Sequence, residues 1–386
     1  MTELDRLVRP GSRIALGDGC GTPVSLHAEL SRVAAGHGVR VVLGWMPGRT
    51  HLDAAAFADT RVLMGGQGVR SMVDSGAAQL VPCRLSAVPA LLRGPLRPDL
   101  LVATLVRRSD GLHLGAESSW MRGLIEAGVP VAASLSTTTP AAEAGPPVPA
   151  RQVTVVEETD ESPAEIPNVA PTAVDVAIAR NVAELVPAGA RIQVGPGRLA
   201  QAIVGALEVP VRVDSGLLPD PVVDLDAKGL LIGEPVAAYL CGTRRLYEWA
   251  DGRRILHPIE TTHDIGRLSA SGAPPLIAVN AALEIDQDGQ VNSEGIGDKS
   301  AGMIGGHPDF CAAAVRGPGL SVIAMASMVR GSPTLVERLS RSVTTCSHDL
   351  DIVVNERGIT DLRGLSRSER RATLLKLWDG QITMEG

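Results

Sequence analysis

Aromatic side chains are scarce in this 386-residue sequence, which has four tryptophans, two tyrosines and two phenylalanines. So few rings are too few to form the stacking platforms on which single-stranded nucleic acids bind. Positive charge is not in excess either, because the formal net charge is −7 and the isoelectric point is about 5.7. A chain of this charge lacks the basic surface that a polyanion requires. We therefore expect no nucleic-acid partner and a core of aliphatic residues.

Cysteine is also sparse, and its five positions are scattered with no CxxC pair: Cys20, Cys83, Cys241, Cys311 and Cys346. An odd and dispersed set predicts neither a disulfide framework nor a zinc ribbon. No cluster of His, Asp and Glu has the spacing of metal ligands. Apolar runs of membrane-spanning length and a secretory signal pattern are missing as well. These features predict a cytoplasmic protein without a metal and without a membrane partner.

An internal repeat is the most informative feature that is present. Residues 7–19 read LVRPGSRIALGDG and residues 185–197 read LVPAGARIQVGPG, with seven of thirteen positions identical. A Val-Arg-Val segment follows each copy, at residues 39–41 and 211–213. Because the 13-residue match and the Val-Arg-Val segment occur in the same order in both halves, we predict two related domains in tandem.

Each copy of the repeat has the pattern of a strand, a glycine turn, a helix and a second strand. Strands that alternate with helices predict an open, mostly parallel α/β sheet in each domain, with right-handed crossovers. Ligands of such sheets bind beyond the carboxyl ends of the strands. The loops at these ends are residues 17–19, 195–197 and 214–216.

The two copies are joined by residues 138–172, which are rich in proline and acidic residues. This composition predicts an interdomain crossover with one embedded strand at residues 152–156. We therefore place an N-terminal α/β domain with its linker at residues 1–170 and a C-terminal α/β domain at residues 171–386.

A glycine-dense loop stands out in the second domain. After an apolar strand at residues 277–279, glycines recur up to Gly305 and Gly306, and an alanine-rich helix is predicted to start after Asp309. Backbone N–H groups of such a loop before a helix can meet an anion. Composition alone leaves open the alternative that the glycines only make tight turns.

In their order, several motifs resemble the acetyl-CoA hydrolase/transferase family, which includes acetate, succinate and 4-hydroxybutyrate CoA-transferases. The C-terminal pieces stretch over residues 279–364, and the opening GDGCGTP at residues 17–23 also fits. The matching pieces are QVGPG at 193–197, VNAALEID at 279–286, GQVNS at 289–293, Lys299, GG at 305–306, DF at 309–310, VVNERGI at 353–359 and LRG at 362–364.

The resemblance implies two CoA-transferase-type domains that face a shared cleft and bind coenzyme A as a substrate. Its partners would be an acyl-CoA and a small carboxylate, in a homo-oligomer or beside a paralogous subunit. It also implies a set of residues that bind the CoA thioester: Gly195, Gly197, Lys299, Gly305, Gly306 and His307. The lysine would reach the phosphates of CoA, and His307 stands where the family has glutamine or a small residue.

The chain departs from the family at the catalytic position. The family uses a glutamate that attacks the thioester and carries the acyl group and then CoA. Alignment on the segment that begins at Asp220 places Asp214, Ser215 and Gly216 opposite the family's His-Ser-Glu, so Gly216 occupies the position of the nucleophile. The family residue between the two glycines of GxG donates its backbone N–H to the oxyanion, and here Pro196 has no N–H to donate.

Three interpretations follow for the reaction. In the first, Asp214 or a nearby carboxylate such as Glu284 acts as a general base on water, and the protein hydrolyses or otherwise cleaves an acyl-CoA. In the second, Asp214 replaces the glutamate in an ordinary CoA-transferase of small carboxylic acids. In the third, the chain is a catalytically silent CoA-binding subunit. Ser215 is a candidate hydrogen-bond donor to the substrate, and Glu356 is a candidate partner for Arg363 or a residue of the cleft.

Overall fold

The structure is a computed structural model that describes residues 2–379. The chain divides into two compact units. The first unit extends to Pro167 and also contains Val236–Thr262, and the second contains Asn168–Pro235 and continues from His263. The first unit therefore takes a segment from the second half of the chain, which a single boundary at residue 170 does not include.

Short strands and helices alternate along most of the described chain. The strands are β1 (Arg13–Leu16), β2 (Arg40–Leu43), β3 (Asp59–Val62), β4 (Gln79–Leu80), β5 (Leu100–Arg108), β6 (Gly111–His113), β7 (Val131–Ser136), β8 (Val153–Thr159), β9 (Arg191–Val194), β10 (Arg212–Val213), β11 (Leu217–Leu218), β12 (Tyr239–Leu240), β13 (Leu276–Ala281), β14 (Glu284–Asp286), β15 (Val291–Asn292), β16 (Gly295–Ile296), β17 (Lys299–Ser300), β18 (Leu320–Ala324), β19 (Met328–Val329), β20 (Ser332–Pro333), β21 (Leu335–Val336), β22 (Ile352–Asn355) and β23 (Gly358–Asp361).

The α-helices are α1 (Glu3–Leu7), α2 (His27–Ala34), α3 (Arg70–Asp74), α4 (Val88–Arg93), α5 (Met121–Glu126), α6 (Ala173–Ala183), α7 (Arg198–Gly205), α8 (Pro221–Ala227), α9 (Arg244–Ala250), α10 (Ile259–Thr262), α11 (Ile265–Leu268), α12 (His307–Arg316) and α13 (Arg367–Asp379). Single 3₁₀ turns occur at Val24–Leu26, Ala54–Ala56, Leu85–Ala87, Ala150–Gln152 and Ser347–Asp349.

Each unit is built on one main sheet of mostly parallel strands. The strand order in the first unit is β4-β3-β2-β1-β5-β7-β8, and β6 pairs with β5 in the antiparallel direction. The order in the second unit is β10-β9-β13-β18-β22-β23, with β23 antiparallel to β22. The central strands are buried aliphatic runs, as in a parallel sheet that is covered on both faces. The predicted open-sheet α/β fold class is confirmed.

The internal repeat corresponds to equivalent parts of the two sheets. Arg13 of β1 pairs with Arg40 of β2, and Arg191 of β9 pairs with Arg212 of β10, in parallel registers that start at the same repeat position. On its other side, the first strand of each copy pairs with a further parallel strand, β1 with β5 and β9 with β13. The glycine that precedes each copy's first strand has a positive φ, +72° at Gly11 and +81° at Gly189, which a residue with a side chain rarely adopts.

Two elements differ from the sequence-based expectations in their limits. Helix α12 begins at His307 rather than after Asp309, because Gly306 is its N-cap and Pro308 fits the first turn, where no N–H is needed. The strand expected at residues 152–156 is β8, and it runs to Thr159 as the edge partner of β7. Residues 153–159 thus belong to the first unit's sheet and not to a free linker.

Helix α6 begins with a reciprocal capping box. The hydroxyl of Thr172 accepts from the Asp175 backbone N–H (3.2 Å), and the Asp175 carboxylate accepts from the Thr172 backbone N–H (2.8 Å). The same carboxylate lies 2.7 Å from Nε of Arg198 at the start of α7. The cap therefore fixes the start of α6 and the aspartate that joins it to α7.

We expect Thr172→Ala to lower the free energy of unfolding by about 1 kcal/mol, because the first turn of α6 loses its hydroxyl acceptor. Urea denaturation followed by circular dichroism measures this loss. Thr172→Ser is the matched control and should remain close to the wild type. Equal stability of the alanine and serine variants would contradict the role of the cap.

Candidate functional site

The candidate site lies at the carboxyl edge of the second unit's sheet. Strands β9, β10 and β13 are parallel neighbours, so the loops that follow them leave the sheet at the same edge. The Ser215 hydroxyl joins two of these loops, because it donates to the carbonyl oxygen of Val194 at 3.0 Å. Ser215 is fully buried, so its hydroxyl supports the backbone in this structure and does not face a substrate.

Asp214 lies between two guanidinium groups. Its carboxylate accepts from Nη1 of Arg191 at 3.2 Å and from Nη1 and Nη2 of Arg267 at 2.9 and 2.7 Å. The Asp214 side chain is 5% exposed and that of Arg191 is 7% exposed. Both carboxylate oxygens are therefore engaged by cations, an arrangement that fixes a loop. This geometry does not favour Asp214 as a general base or as a replacement nucleophile.

Gly216, which the motif alignment places opposite the family's nucleophile, faces the imidazole of His263. A Cβ atom at Gly216 would lie 3.2 Å from Nε2 of His263 and 3.6 Å from the ring of Phe310. His263 is 1% exposed, and its ring lies 4.9 Å from that of Phe310, between centroids. The imidazole therefore occupies space into which a longer side chain at position 216 would extend.

The glycine loop before α12 approaches the same imidazole. A Cβ atom at Gly306 would lie 2.4 Å from Nε2 of His263, so this position tolerates no side chain without a shift of the ring. The neighbouring Gly305 has a φ of +54°. The structure thus brings together the loop of Gly216 and the loop of Gly305 and Gly306, as expected for parts of one site.

His307, the first residue of α12, carries an unpartnered polar atom. It is 7% exposed, its Nδ1 lies 3.4 Å from the hydroxyl of Ser293, and its buried Nε2 has no hydrogen-bond partner among the described residues. The Ser293 hydroxyl donates to the Met303 carbonyl at 2.8 Å, so its single hydrogen is used there. Nδ1 of His307 is then the donor to Ser293, and Nε2 carries a free lone pair.

The remaining predicted ligand residues have different surroundings. No described atom lies within 4 Å of a Cβ atom placed at Gly195 or at Gly197, and Gly197 has a φ of +105°. This loop is therefore open. Lys299 lies on the exposed hairpin of β16 and β17. Among the described residues no hydrogen bond joins Lys299 to His307, and the role of Lys299 remains a prediction.

Two other candidate carboxylates, those of Glu284 and Glu356, accept hydrogen bonds from neighbouring side chains and backbone groups. Oε2 of Glu284 accepts from the amide of Asn292 at 2.8 Å and from the backbone N–H and hydroxyl of Ser340, both at 2.9 Å. Glu356 accepts from the backbone N–H of Ser327 at 2.9 Å and from its hydroxyl.

The suggested pairing of Glu356 with Arg363 is wrong. Arg363 pairs with Asp361, two residues before it, at 2.6 Å.

The equivalent loop of the first unit is closed by its own side chains. A Cβ atom at Gly19 or at Gly21 would meet the Glu117 carboxylate at 2.8 or 2.5 Å. The Asp18 carboxylate accepts from the hydroxyls of Ser119 (2.7 Å) and Tyr239 (2.9 Å). Burial raises the pKa of Asp18 to about 6, and burial together with the nearby Asp18 raises the pKa of Glu117 well above its usual range. The first-unit loop is thus a packed acidic cluster, whereas the loop of Gly195 is open.

Sequence reasoning missed the parts of the site that come from residues 263–267. His263 and Arg267 lie outside the motifs that carry the resemblance, and they reach Gly216 and Asp214 only through the fold. Arg191 could have been singled out from the sequence, because Arg13 occupies the same position in the other copy of the repeat.

Within residues 2–379 no group of three or more His, Cys, Asp and Glu side chains is arranged to hold a metal ion. Across the same residues, no helix combines the length and the apolar character that crossing a membrane requires.

Comparison with known proteins agrees with this fold. Residues 242–383 match the acetyl-CoA hydrolase/transferase C-terminal domain. The succinyl-CoA:cyclohexane-1-carboxylate CoA transferase of Geobacter metallireducens is 29% identical over 337 residues, which cover 80% of this chain and 74% of the relative. The 4-hydroxybutyrate coenzyme A transferase of Clostridium kluyveri is 24% identical over 83% of this chain and 79% of its own length. The crystal structure of RipA from Yersinia pestis has the same fold, with a TM-score of 0.86 and 22% identity over 98% of this chain and 93% of RipA.

The fold and the matched domain define an enzyme of the acyl-CoA hydrolase and CoA-transferase type. Residues 242–383 match this family's C-terminal domain, and the resemblance of the chain's motifs to the acetyl-CoA hydrolase/transferase family is confirmed.

We expect Asp214→Asn to destabilise the protein by about 3–5 kcal/mol, because it leaves two guanidinium groups without a buried counter-charge. Urea denaturation measures the loss. Asp361→Asn is the matched control, since Asp361 and Arg363 form an ion pair with side chains about half exposed (48% and 55%), and it should cost less than about 1 kcal/mol. Similar losses in the two variants would show that Asp214 does not anchor its loop.

Acid should destabilise the protein through its buried histidines. Burial lowers the pKa of His263 and of His307 to about 3, from an ordinary value of 6.5. Between these values the unfolded chain binds more protons, so stability is lost as the pH falls below 6.5, at about 1.4 kcal/mol per pH unit for each imidazole. Melting temperatures should fall less steeply with acid in His307→Gln than in the wild type.

The control for this prediction is His348→Gln, because the His348 side chain is 78% exposed. Its melting temperatures between pH 7 and pH 4 should follow those of the wild type. If His307→Gln had the same pH dependence as His348→Gln, the burial of a neutral His307 would be refuted.

Proposed function

We propose that this protein binds acyl-CoA thioesters at the carboxyl edge of the second unit's sheet and cleaves them with water. No side-chain carboxylate carries the acyl group in this reaction. Two points support the proposal. The motif alignment places Gly216 opposite the family's nucleophile, and a Cβ atom at Gly216 would lie only 3.2 Å from Nε2 of His263. The proposal includes the cytoplasm as its location and a homo-oligomer as its assembly.

The open glycine loops suit the approach of a thioester. A ligand can approach the backbone closely at Gly195 and Gly197, where no described atom would meet a Cβ atom. Gly305 and Gly306 precede α12, whose macrodipole favours negative charge near its N-terminus. In this proposal Lys299 supplies positive charge to the phosphates of CoA from the hairpin of β16 and β17.

His307 is the general base in the proposed reaction. The hydrogen bond of its Nδ1 to Ser293 leaves the Nε2 lone pair to accept a proton from water. The low pKa of His307, about 3, keeps the imidazole neutral throughout the physiological range. This assignment replaces Asp214, whose two guanidinium partners support a role in positioning the loop that contains Gly216.

The step is balanced without another reagent. The water oxygen attacks the thioester carbonyl carbon while Nε2 of His307 takes one water proton. The tetrahedral intermediate then expels the CoA thiolate, which takes the proton from the imidazolium. The products are a carboxylic acid, which ionises in water, and free CoA thiol.

The second candidate function is a CoA-binding subunit without its own chemistry. Two observations favour it: Pro196 provides no N–H for the oxyanion, and an imidazole with a pKa of about 3 is a weak base. Measurements on the purified protein distinguish these functions. Both functions require CoA binding, but only the first yields free thiol from an acyl-CoA.

We expect the wild type to release free CoA thiol from at least one member of a panel of acetyl-, succinyl- and aromatic acyl-CoA thioesters. His307→Ala should lower this rate by about 10²-fold, the usual contribution of a positioned base, and His348→Ala should not change it. Borohydride trapping followed by mass spectrometry should find no CoA adduct on the protein. An adduct on an Asp or Glu would restore the ordinary transferase, and CoA binding without thiol release would favour the silent subunit.

The glutamate position offers a direct test of the lost nucleophile. We expect Gly216→Glu alone to be destabilised and to form no adduct, because the new side chain meets the ring of His263. With His263→Ala added, the carboxylate gains room, and stability relative to Gly216→Glu should increase. His307→Ala in the same Gly216→Glu background is the control, since it creates no space beside position 216. Equal stability of both double variants would contradict the proposed steric conflict.

A further inference from the structure

A cavity lined by eight charged or titratable side chains lies entirely within the first unit. Its volume is about 510 Å³. It is formed by the β5–β6 hairpin, helix α5, the loop of residues 143–146 and residues 254–258. The charged or titratable side chains that line it are Arg108, Asp110, His113, Arg122, Glu126, Glu143, Arg254 and His257.

Arg122 of α5 is a buried cation in this cavity, with an exposed fraction of 3%. Its Nε and Nη2 both donate to the carbonyl oxygen of Ala144, at 3.1 and 2.7 Å. The N–H groups of Nη1 have no hydrogen-bond partner among residues 2–379, and no described carboxylate lies within 4.0 Å of the guanidinium. A mostly buried guanidinium without a paired carboxylate is costly, and an anion in the cavity would supply that counter-charge.

The loop over Arg122 holds the guanidinium in a fixed orientation. Gly145 has a φ of +91°, and a Cβ atom at this position would lie 3.3 Å from Nε and 3.4 Å from Cζ of Arg122. The loop therefore packs on the guanidinium while its preceding carbonyl binds two nitrogens. Nη1 of Arg122 therefore belongs to a guanidinium whose orientation is already fixed, unlike that of a mobile surface arginine.

Most other charges of the cavity already have partners. Glu143 lies 3.0 Å from Nε of Arg254 and 4.0 Å from Nη1 of Arg108. Asp110 lies 2.8 Å from Nε2 of His113. Of the three arginines that line the cavity, Arg122 is the one for which the described chain provides no carboxylate at ion-pair distance.

Glu126 is the nearest candidate for an internal counter-charge. It follows Arg122 by one helical turn, is exposed, and interacts with it electrostatically without an ion pair within 4.0 Å. Its negative charge also repels a second anion in the cavity. Glu126 is therefore a competitor of any bound anion, and its removal is informative.

We propose that this cavity is a binding site for a small carboxylate anion, which Nη1 of Arg122 holds. A carboxylate fits because the planar guanidinium pairs with it through parallel hydrogen bonds. A single negative charge is favoured over the two of inorganic phosphate because Glu126 and Glu143 also line the cavity. The site uses first-unit residues alone and contains none of the glycine loops assigned to the thioester, so it does not depend on the proposed function.

Calorimetric titration with sodium acetate and sodium propionate tests the site, with sodium chloride and inorganic phosphate as probes at the same ionic strength. The proteins are the wild type, Arg122→Gln, Glu126→Gln and Arg107→Gln. Arg107→Gln is the matched control, because it removes the same charge from an exposed side chain (67%) that does not line the cavity. Circular dichroism establishes that each variant is folded.

We expect saturable carboxylate binding to the wild type, at least about tenfold weaker binding to Arg122→Gln, and unchanged binding to Arg107→Gln. Glu126→Gln should bind about twofold to fivefold more tightly, since it removes one nearby like charge. If Arg122→Gln does not fold, the comparison of Glu126→Gln with the wild type decides. The proposal is overturned if neither the wild type nor Glu126→Gln binds a carboxylate. It is also overturned if a folded Arg122→Gln binds acetate as tightly as the wild type does, or if the wild type binds phosphate more tightly than acetate.

Discussion

The carboxylate of Asp214, held between Arg191 and Arg267, is the interaction on which the geometry of the second unit's edge depends. Arg191 begins β9, and its other nitrogens donate to the carbonyls of Pro274 and Leu268 at 2.9 and 2.6 Å. One buried cluster therefore joins β9, the end of β10, α11 and the entry to β13. Because the loop after β10 is fixed in this way, Gly216 meets His263. A carboxylate that resembles a catalytic base in sequence is here the anchor of the loop after β10.

The glycine loop that follows the first strand of each repeat copy is filled by side chains in the first unit and open in the second unit. In the first unit, Glu117 fills the space beside the glycines, and Asp18 is bonded to two hydroxyls. In the second unit the space beside Gly195 and Gly197 is open. A parallel sheet offers a binding position at each such strand end, and its use depends on whether neighbouring side chains occupy it. The glycine pattern alone therefore does not identify a binding loop.

The fold was predictable from the sequence because its signals are local and repeated. Short apolar strands that end in glycines recur at residues 13–19 and 191–197, and each recurrence supports the other. The role of Asp214 was not predictable, since its partners lie 23 and 53 residues away and no motif links them. His263 was missed for the same reason, because only the packed structure brings it to Gly216. The helix expected to start after Asp309 begins earlier, at His307, because Pro308 is favourable in a helix's first turn.

The segment Val236–Thr262, which belongs to the first unit, constrains how the chain acquires its structure during synthesis. The hydroxyl that Tyr239 donates to Asp18 comes from 221 residues further along the chain. A ribosome that has completed the sheet strands β1–β8 has therefore not yet made all of the first unit. Contacts of such sequence separation slow folding, because a long loop must close before they form. Until that segment is made, the Asp18 carboxylate beside the first glycine loop lacks the Tyr239 hydroxyl that donates to it.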